Sequence, residues 1–148
     1  MRFVVLAALV SLLLACDMSG QSAEVMVPAP PRNLDPVLLE QGKGVYDKNC
    51  KRCHGVNGVG SSNWRAQGPD GKYPPPPLNG EGHTWHHPKA ILVSVIKNGS
   101  PGGMGNMPAF RDKLSDDDID VVITWMQSLW SEQAYQMWYQ RDISHSGH

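Results

Sequence analysis

Two cysteines and a histidine lie within five residues, in the order Cys50-Lys51-Arg52-Cys53-His54. On a helical turn, side chains three positions apart face the same way, so both thiols can reach one edge of the same planar group. His54 follows directly, which brings an imidazole nitrogen beneath that group. This run constrains the fold more than any other feature, because the surrounding chain must enclose whatever the three side chains hold.

The C-x-x-C-H run predicts a covalently attached c-type haem, in which both thiols add to the vinyl groups and the histidine ligates iron. Two other sites use a C-x-x-C pair. A thioredoxin-like dithiol expects a strand before the pair and a helix after it, whereas a glycine-rich loop follows His54 here. A zinc site would need a second pair of ligands. The haem is therefore the favoured interpretation.

The chain begins with the pattern of a bacterial lipoprotein signal peptide. Residues 1–15 combine a basic start with an apolar run that is shorter than the roughly 20 residues of a membrane-spanning helix. The run ends in Leu-Leu-Ala-Cys, which resembles the lipobox in which the cysteine, here Cys16, is acylated and becomes the first residue. The alternative is ordinary cleavage near Ala23, which would release a soluble periplasmic protein.

The remaining N-terminal residues predict a lipidated, flexible tether over residues 16–35, with prolines at positions 28, 30 and 31. The chain has three cysteines, so lipid at Cys16 and haem at Cys50 and Cys53 leave none for a disulfide. Asp17 resembles the residue that retains lipoproteins on the cytoplasmic membrane. These patterns predict a lipid-anchored protein on the extracytoplasmic, periplasmic face of that membrane.

Residues 36–148 have the length of a single domain. The formal net charge is −1, with 13 Lys and Arg against 14 Asp and Glu, and no basic face for nucleic acid is evident. Asp35 followed by Pro36 predicts a helix start that leads into Cys50. Ser115 and Asp118 have the spacing of a capping box. Apolar residues then follow the 3.6-residue period of an amphipathic helix.

Over roughly residues 36 to 130 this arrangement resembles class I, mitochondrial-type cytochrome c. The resemblance includes a Gly-x-x-x-aromatic pair, Gly42 and Tyr46, just before the attachment run. It implies an all-α cytochrome c fold, with crossed N- and C-terminal helices around one covalently attached haem. In that fold Gly42 and Tyr46 would meet Val122 and Trp125. Helical spacing then predicts a C-terminal extension from about residue 131.

The resemblance also implies an acceptor for the ring of His54. Pro76, Leu78 and Gly80 match the Pro-x-Leu-x-Gly segment of the family, in which the proline carbonyl accepts a hydrogen bond from the iron-ligating imidazole. The alternative is a plain polyproline turn. A polar, glycine-rich loop over residues 56–73 is longer than in the short family members, and Trp64 within it could cover the haem or contact a partner.

The second axial ligand is predicted to be Met107, because Met107-Pro108-Ala109-Phe110 resembles the Met-Pro loop of the family. A proline also holds the preceding residue in extended backbone, so its side chain can point into a pocket. Met104 is the competing methionine.

The segment from His83 to His87 offers further ligands. A histidine from this segment as second ligand would lower the reduction potential relative to a thioether. His83 and His87, with the nearby methionines, also make a copper site conceivable. Trp85 lies about where the family has a tryptophan that donates its indole N–H to a haem propionate.

The resemblance implies a one-electron carrier rather than an enzyme, with iron cycling between its ferric and ferrous states. Its expected partners are membrane-associated electron donor and acceptor proteins. The alternatives are a haem-based sensor or peroxidase with an open sixth position, and a copper-delivery protein. Absorption spectroscopy, carbon monoxide binding and metal analysis separate these functions.

Because a small domain gains much of its core from the apolar haem, we expect the protein without haem to be largely unfolded. The double variant Cys50→Ala, Cys53→Ala should therefore lack a cooperative thermal transition in circular dichroism. A haem-free variant that melts cooperatively would contradict this expectation.

Overall fold

A computed structural model describes residues 26–147. The predictions of a signal peptide over residues 1–15, of lipid at Cys16 and of the first part of the tether lie outside the described residues. The described part is helical, without a β-strand, and a single isolated parallel bridge joins Tyr73 to Gly105. The predicted all-α fold is therefore confirmed.

The described residues form five α-helices and three short 3-10 turns. The α-helices are α1 (Pro36–Asn49), α2 (Lys51–His54), α3 (Lys89–Asn98), α4 (Asp116–Ser128) and α5 (Glu132–Ser146). The 3-10 turns are Val56–Gly58, Thr84–His86 and Pro101–Gly103. None of the helices in the described part is long and apolar enough to cross a membrane.

Side-chain caps fix where α1 and α4 begin, and both predicted starts are confirmed. The carboxylate of Asp35 accepts hydrogen bonds from the first backbone amides of α1, and Pro36 occupies the first helical position. Ser115 and Asp118 form a reciprocal capping box at α4, with the Ser115 hydroxyl 3.1 Å from the Asp118 amide. These caps satisfy amide groups that a helix start leaves without partners.

Helices α1 and α4 pack together at Gly42. A Cβ atom at this position would lie 2.1 Å from the carbonyl oxygen of Val121 and 2.7 Å from Cβ of Trp125. One turn further on, the rings of Tyr46 and Trp125 lie 4.3 Å apart, centroid to centroid. The atoms nearest to Gly42 thus belong to Val121 and Trp125, whereas the predicted neighbour Val122 turns into the core, where 1% of its surface is exposed.

The hydrophobic core lies mainly on α4 and on the elements packed around it. Its buried members are Tyr46, Leu92, Phe110, Leu114, Ile119, Val122, Ile123, Trp125, Met126, Trp130, Ala134, Tyr135 and Trp138. The aromatics at the end of this list show that α5 shares the same core.

The C-terminal extension is a separate helix, because the chain breaks after α4 and the hydroxyl of Ser131 caps α5. The carboxylate of Asp142 on α5 accepts a hydrogen bond from the backbone amide of Lys89, at 2.7 Å. Helix α3 has no side-chain cap of its own, so α5 supplies one.

Residues 27–32 lie along α5, which the sequence analysis did not anticipate. The side-chain amide of Gln136 binds the backbone of Val27 and Ala29, and Gln140 also binds Val27. The guanidinium of Arg32 donates to the carbonyl of Trp130 at 2.6 Å and to that of Gln127 at 3.0 Å. The second half of the predicted tether is thus held against the domain.

We predict that Gly42→Ala destabilises the folded protein, because the new methyl group would overlap the backbone of α4. Overpacking of this kind costs about 1 to 3 kcal/mol, and the contact at Val121 places this variant at the upper end. Gly44→Ala is the matched control on α1, because its Cβ would meet nothing within 4 Å. That control should be stabilising by about 0.5 to 1 kcal/mol. Urea unfolding of both variants measures the difference, and equal midpoints would contradict the close contact.

Candidate functional site

The C-x-x-C-H run lies on one helical turn. Cys50 keeps right-handed helical backbone between α1 and α2, and its carbonyl accepts hydrogen bonds from the amides of Cys53 and His54, at 3.0 Å each. Gly55 ends the turn with a φ of +76°. The hydroxyl of Tyr46 donates to the Gly55 carbonyl at 2.6 Å, which fastens the end of this turn to α1.

The two thiols are unequally exposed. Cys50 is partly buried against the core, and Cys53 is exposed. Burial, with a further contribution from the charge of a Cys53 thiolate, raises the pKa of Cys50 to about 11. A reactive dithiol redox pair needs the opposite shift, so the burial of Cys50 disfavours that alternative to thioether attachment.

The imidazole of His54 is buried and points its Nδ1 atom at the carbonyl oxygen of Pro76, 2.9 Å away. A carbonyl can only accept, so Nδ1 carries the proton. Burial lowers the pKa of His54, and the hydrogen bond to Pro76 opposes that shift. The neutral ring therefore keeps a lone pair on Nε2, the form that binds a metal ion.

Four consecutive carbonyls around Pro76 each accept one hydrogen bond. From Pro75 to Leu78, the donors are the Ser61 amide at 2.8 Å, the His54 ring at 2.9 Å, the Thr84 hydroxyl at 3.0 Å and the Trp130 indole at 2.8 Å. The segment that faces His54 is thus held by groups from four different parts of the chain.

The glycine-rich loop after His54 packs directly against this proline segment. The amide of Leu78 donates to the carbonyl of Gly58 at 2.7 Å. Gly60 has a φ of +65°, and a Cβ there would lie 2.4 Å from the nitrogen of Pro77. These two glycines let the backbone of the loop approach the prolines, which brings the Pro76 carbonyl to the histidine ring.

The two candidate methionines differ in burial. Met107 is partly buried and packs against the core, whereas 57% of Met104 is exposed. The backbone of Met107 is held by Ser100, whose hydroxyl accepts from the Met107 amide at 3.0 Å and whose amide donates to the Met107 carbonyl at 3.1 Å.

Trp85 lies in the Thr84–His86 turn, which packs on α5. Its ring contacts His86, with centroids 3.9 Å apart, and the guanidinium carbon of Arg141 lies 5.3 Å from its centroid. The guanidinium of Arg141 places a positive charge beside this indole, which would favour an anionic group. A hydrogen bond from Trp85 to a haem propionate stays a prediction.

The histidines of residues 83–87 form an aromatic cluster. The ring of His83 stacks on Trp64 at 5.0 Å and meets the edge of His87 at 5.3 Å. Burial first, and then the charges of His87, His86 and Arg65, lower the pKa of His83. Within residues 26–147 no group of three or more His, Cys, Asp or Glu side chains is placed to hold a metal ion. A copper site that also uses the methionines stays a hypothesis.

Sequence reasoning missed the roles of Thr84 and Trp130 in this site. Nothing in the sequence singles out Thr84. Trp130 continues the apolar 3.6-residue period that predicts the C-terminal amphipathic helix, and that period gave no sign of its hydrogen bond, although a buried indole N–H usually has an acceptor.

Comparisons with known proteins find relatives of this chain. Residues 37–126 match the family described as "Cytochrome C oxidase, cbb3-type, subunit III". The chain is 36% identical over 113 residues to the cbb3-type cytochrome c oxidase subunit CcoP of Azospirillum brasilense, covering 76% of this chain and 36% of the relative. It is 31% identical over 88 residues to cytochrome c6 of Bryopsis maxima, covering 60% of this chain and 88% of the relative.

A third relative is subunit FixP of the cbb3-type oxidase of Rhizobium meliloti, 28% identical over 117 residues, which are 79% of this chain and 36% of the relative. The chain thus spans about a third of the length of the oxidase subunits that it matches. No solved structure matches the chain.

The helical fold, the thiol pair and the buried histidine define a cytochrome c-type domain. The donor set fits a c-type haem, since two thiols and one buried imidazole with its Nδ1 atom bonded to a carbonyl occupy a single turn. More particularly, the chain belongs to the family of the cbb3-type cytochrome c oxidase subunit III, which its sequence matches over more than half its length.

We predict that Gly60→Ala displaces the proline segment and destabilises the protein. Gly71→Ala is the matched control, because Gly71 also has a positive φ but a Cβ there would meet nothing within 4 Å. Both variants carry the backbone strain, of roughly 1 to 2 kcal/mol. Only Gly60→Ala adds the overlap with Pro77, worth about 1 to 3 kcal/mol more. Thermal or urea unfolding measures both, and equal losses of stability would be inconsistent with the packing described.

Proposed function

We propose that this protein carries one electron at a time on a single haem, bound through Cys50 and Cys53, with His54 and Met107 as axial ligands. The observation that carries the proposal is the buried ring of His54, fixed by the Pro76 carbonyl on the same helical turn as Cys50 and Cys53. The chain has only three cysteines and one C-x-x-C-H run, which supports a single haem.

The protein groups supply orientation and exclude water, while the haem supplies the redox chemistry. Pro76 holds the proximal imidazole in one tautomer and one orientation. Met107 packs against the core, so its thioether would be available to bind the iron together with His54. A haem held by both residues would supply one-electron chemistry, and we propose that the protein transfers electrons without catalysing a further reaction.

Trp85 is our proposed donor to a haem propionate. The indole N–H is a hydrogen-bond donor, and the Arg141 guanidinium beside the ring would add a positive charge for a carboxylate. Lipid at Cys16 is our proposed anchor, with residues 1–15 as signal peptide and residues 36–148 as the haem domain on the periplasmic face of the cytoplasmic membrane.

We propose membrane-associated redox proteins as electron donor and acceptor, because several relatives are named as subunits of a cbb3-type oxidase. Copurification from detergent-solubilised membranes identifies the partners. Cys16→Ser is the control for the anchor, and it should move the haem protein from the membrane fraction to the soluble periplasmic fraction. Recovery of this variant in membranes would contradict lipid anchoring.

We predict that Met107→Ala abolishes the weak far-red absorption band of the oxidised protein, which arises from sulfur bound to ferric iron. Met104→Ala is the matched control on the same loop and should retain the band, because Met104 is mostly exposed. If Met104→Ala abolished the band and Met107→Ala retained it, Met104 would be assigned as the ligand instead. Absence of the band from the wild type, with rapid binding of carbon monoxide, would instead favour a sensor or peroxidase with an open sixth position.

A further inference from the structure

We propose that Trp130 and Thr84 are positioning residues for the proximal ligand, which hold the Pro76 carbonyl against His54 and thereby lower the reduction potential. The inference rests on the proposed function, because it concerns the haem-loaded protein. Neither residue touches the Cys50–His54 turn by a hydrogen bond of its own; both act through the proline segment.

The proline segment depends on outside donors because of its composition. A proline has no backbone N–H, so residues 74–77 cannot donate a hydrogen bond to any neighbouring element. Leu78 supplies the first amide after them, and it binds Gly58. The place of the Pro76 carbonyl is therefore set mainly by the groups that donate to the carbonyls on either side of it.

Trp130 is held firmly enough to act as such a donor. It lies just beyond α4 with 3% of its surface exposed, and its Nε1 donates to the Leu78 carbonyl at 2.8 Å. The carbonyl of Trp130 accepts from Arg32 at 2.6 Å. Gly80 packs on the same residue, since a Cβ there would lie 3.2 Å from Cα of Trp130. The backbone of Trp130 is thus held by Arg32 and Gly80, and its indole is held by the Leu78 carbonyl.

Thr84 fixes the neighbouring carbonyl. Its side chain is buried, and the hydroxyl donates to Pro77 at 3.0 Å. Gly82, two residues before Thr84, packs on the same carbonyl, since a Cβ there would lie 2.4 Å from the Pro77 oxygen. Replacing the hydroxyl by a methyl group would leave this carbonyl without its donor while keeping the shape of the side chain.

The direction in which the reduction potential shifts distinguishes a positioning role of Trp130 and Thr84 from a role in packing alone. A short hydrogen bond from Nδ1 makes the imidazole a stronger electron-pair donor to the iron. This stabilises ferric iron and lowers the reduction potential. A looser Pro76 carbonyl would therefore raise the potential. Loss of packing alone would admit water, which favours the more charged ferric state and shifts the potential down.

The test measures the potential of haem-loaded Trp130→Phe and Thr84→Val by redox titration. Both should raise it, changing the ferric-to-ferrous ratio at a fixed ambient potential by up to about tenfold, which is about 59 mV for one electron. In proton NMR of the reduced protein, the Nδ1 proton of His54 should exchange faster with solvent in both variants.

Two controls match these variants. Trp138→Phe removes a second buried indole, whose N–H has no hydrogen-bond partner among residues 26–147. Its ring packs on that of Trp130, with centroids 6.0 Å apart, so this variant controls for altered packing around Trp130 and should not raise the potential. Thr84→Ser keeps the hydroxyl and should retain the wild-type potential.

Unchanged or lowered potentials in both Trp130→Phe and Thr84→Val, with wild-type haem content, would overturn the inference and leave the proposed function intact. If Trp130→Phe fails to fold, Thr84→Val against Thr84→Ser decides alone, because valine preserves the shape of threonine. Wild-type protein without covalent haem would instead refute the proposed function.

Discussion

The site depends on one hydrogen bond, from Nδ1 of His54 to the carbonyl of Pro76, at 2.9 Å. It fixes the tautomer of a buried ring and leaves Nε2 free to bind iron. The bond exists only because two distant segments meet, the helical turn that carries the cysteines and a proline run that cannot donate hydrogen bonds of its own. Much of the surrounding architecture brings these segments together, through the glycines of the intervening loop and through donors from Thr84 and Trp130.

The contact between α1 and α4 places the same turn from the other side. Gly42 lets the two helices approach closely. One turn further on, the ring of Tyr46 packs on Trp125, and its hydroxyl donates a hydrogen bond to the end of the attachment turn. The glycine at position 42 thus allows a helix contact that connects the hydrophobic core to the C-x-x-C-H turn. Helix α5 and residues 27–32 extend this support to the end of α4, where Arg32 binds the carbonyl of Trp130.

Much of this could be predicted from the sequence, because the informative signals are local. The cap at Asp35, the capping box at Ser115 and the attachment run each involve residues within one or two turns, so spacing alone reveals them. The docking of residues 27–32 on α5 and the bond from Trp130 to Leu78 join residues far apart in the chain. No periodicity marks such contacts, since glutamine and tryptophan side chains bind any backbone group that the fold presents to them. The resemblance to class I cytochrome c pointed to Pro76, whereas Thr84 had no signal.

The most direct test of this account is the intact mass of the protein, expressed with haem-attachment machinery and denatured in acid-acetone to extract free haem. We predict the mass of the mature, lipidated polypeptide plus one haem, and a colour that persists after extraction. The double variant Cys50→Ala, Cys53→Ala should lose both the haem mass and the colour. A colourless protein with the mass of the bare polypeptide would contradict the central claim that this turn binds haem covalently.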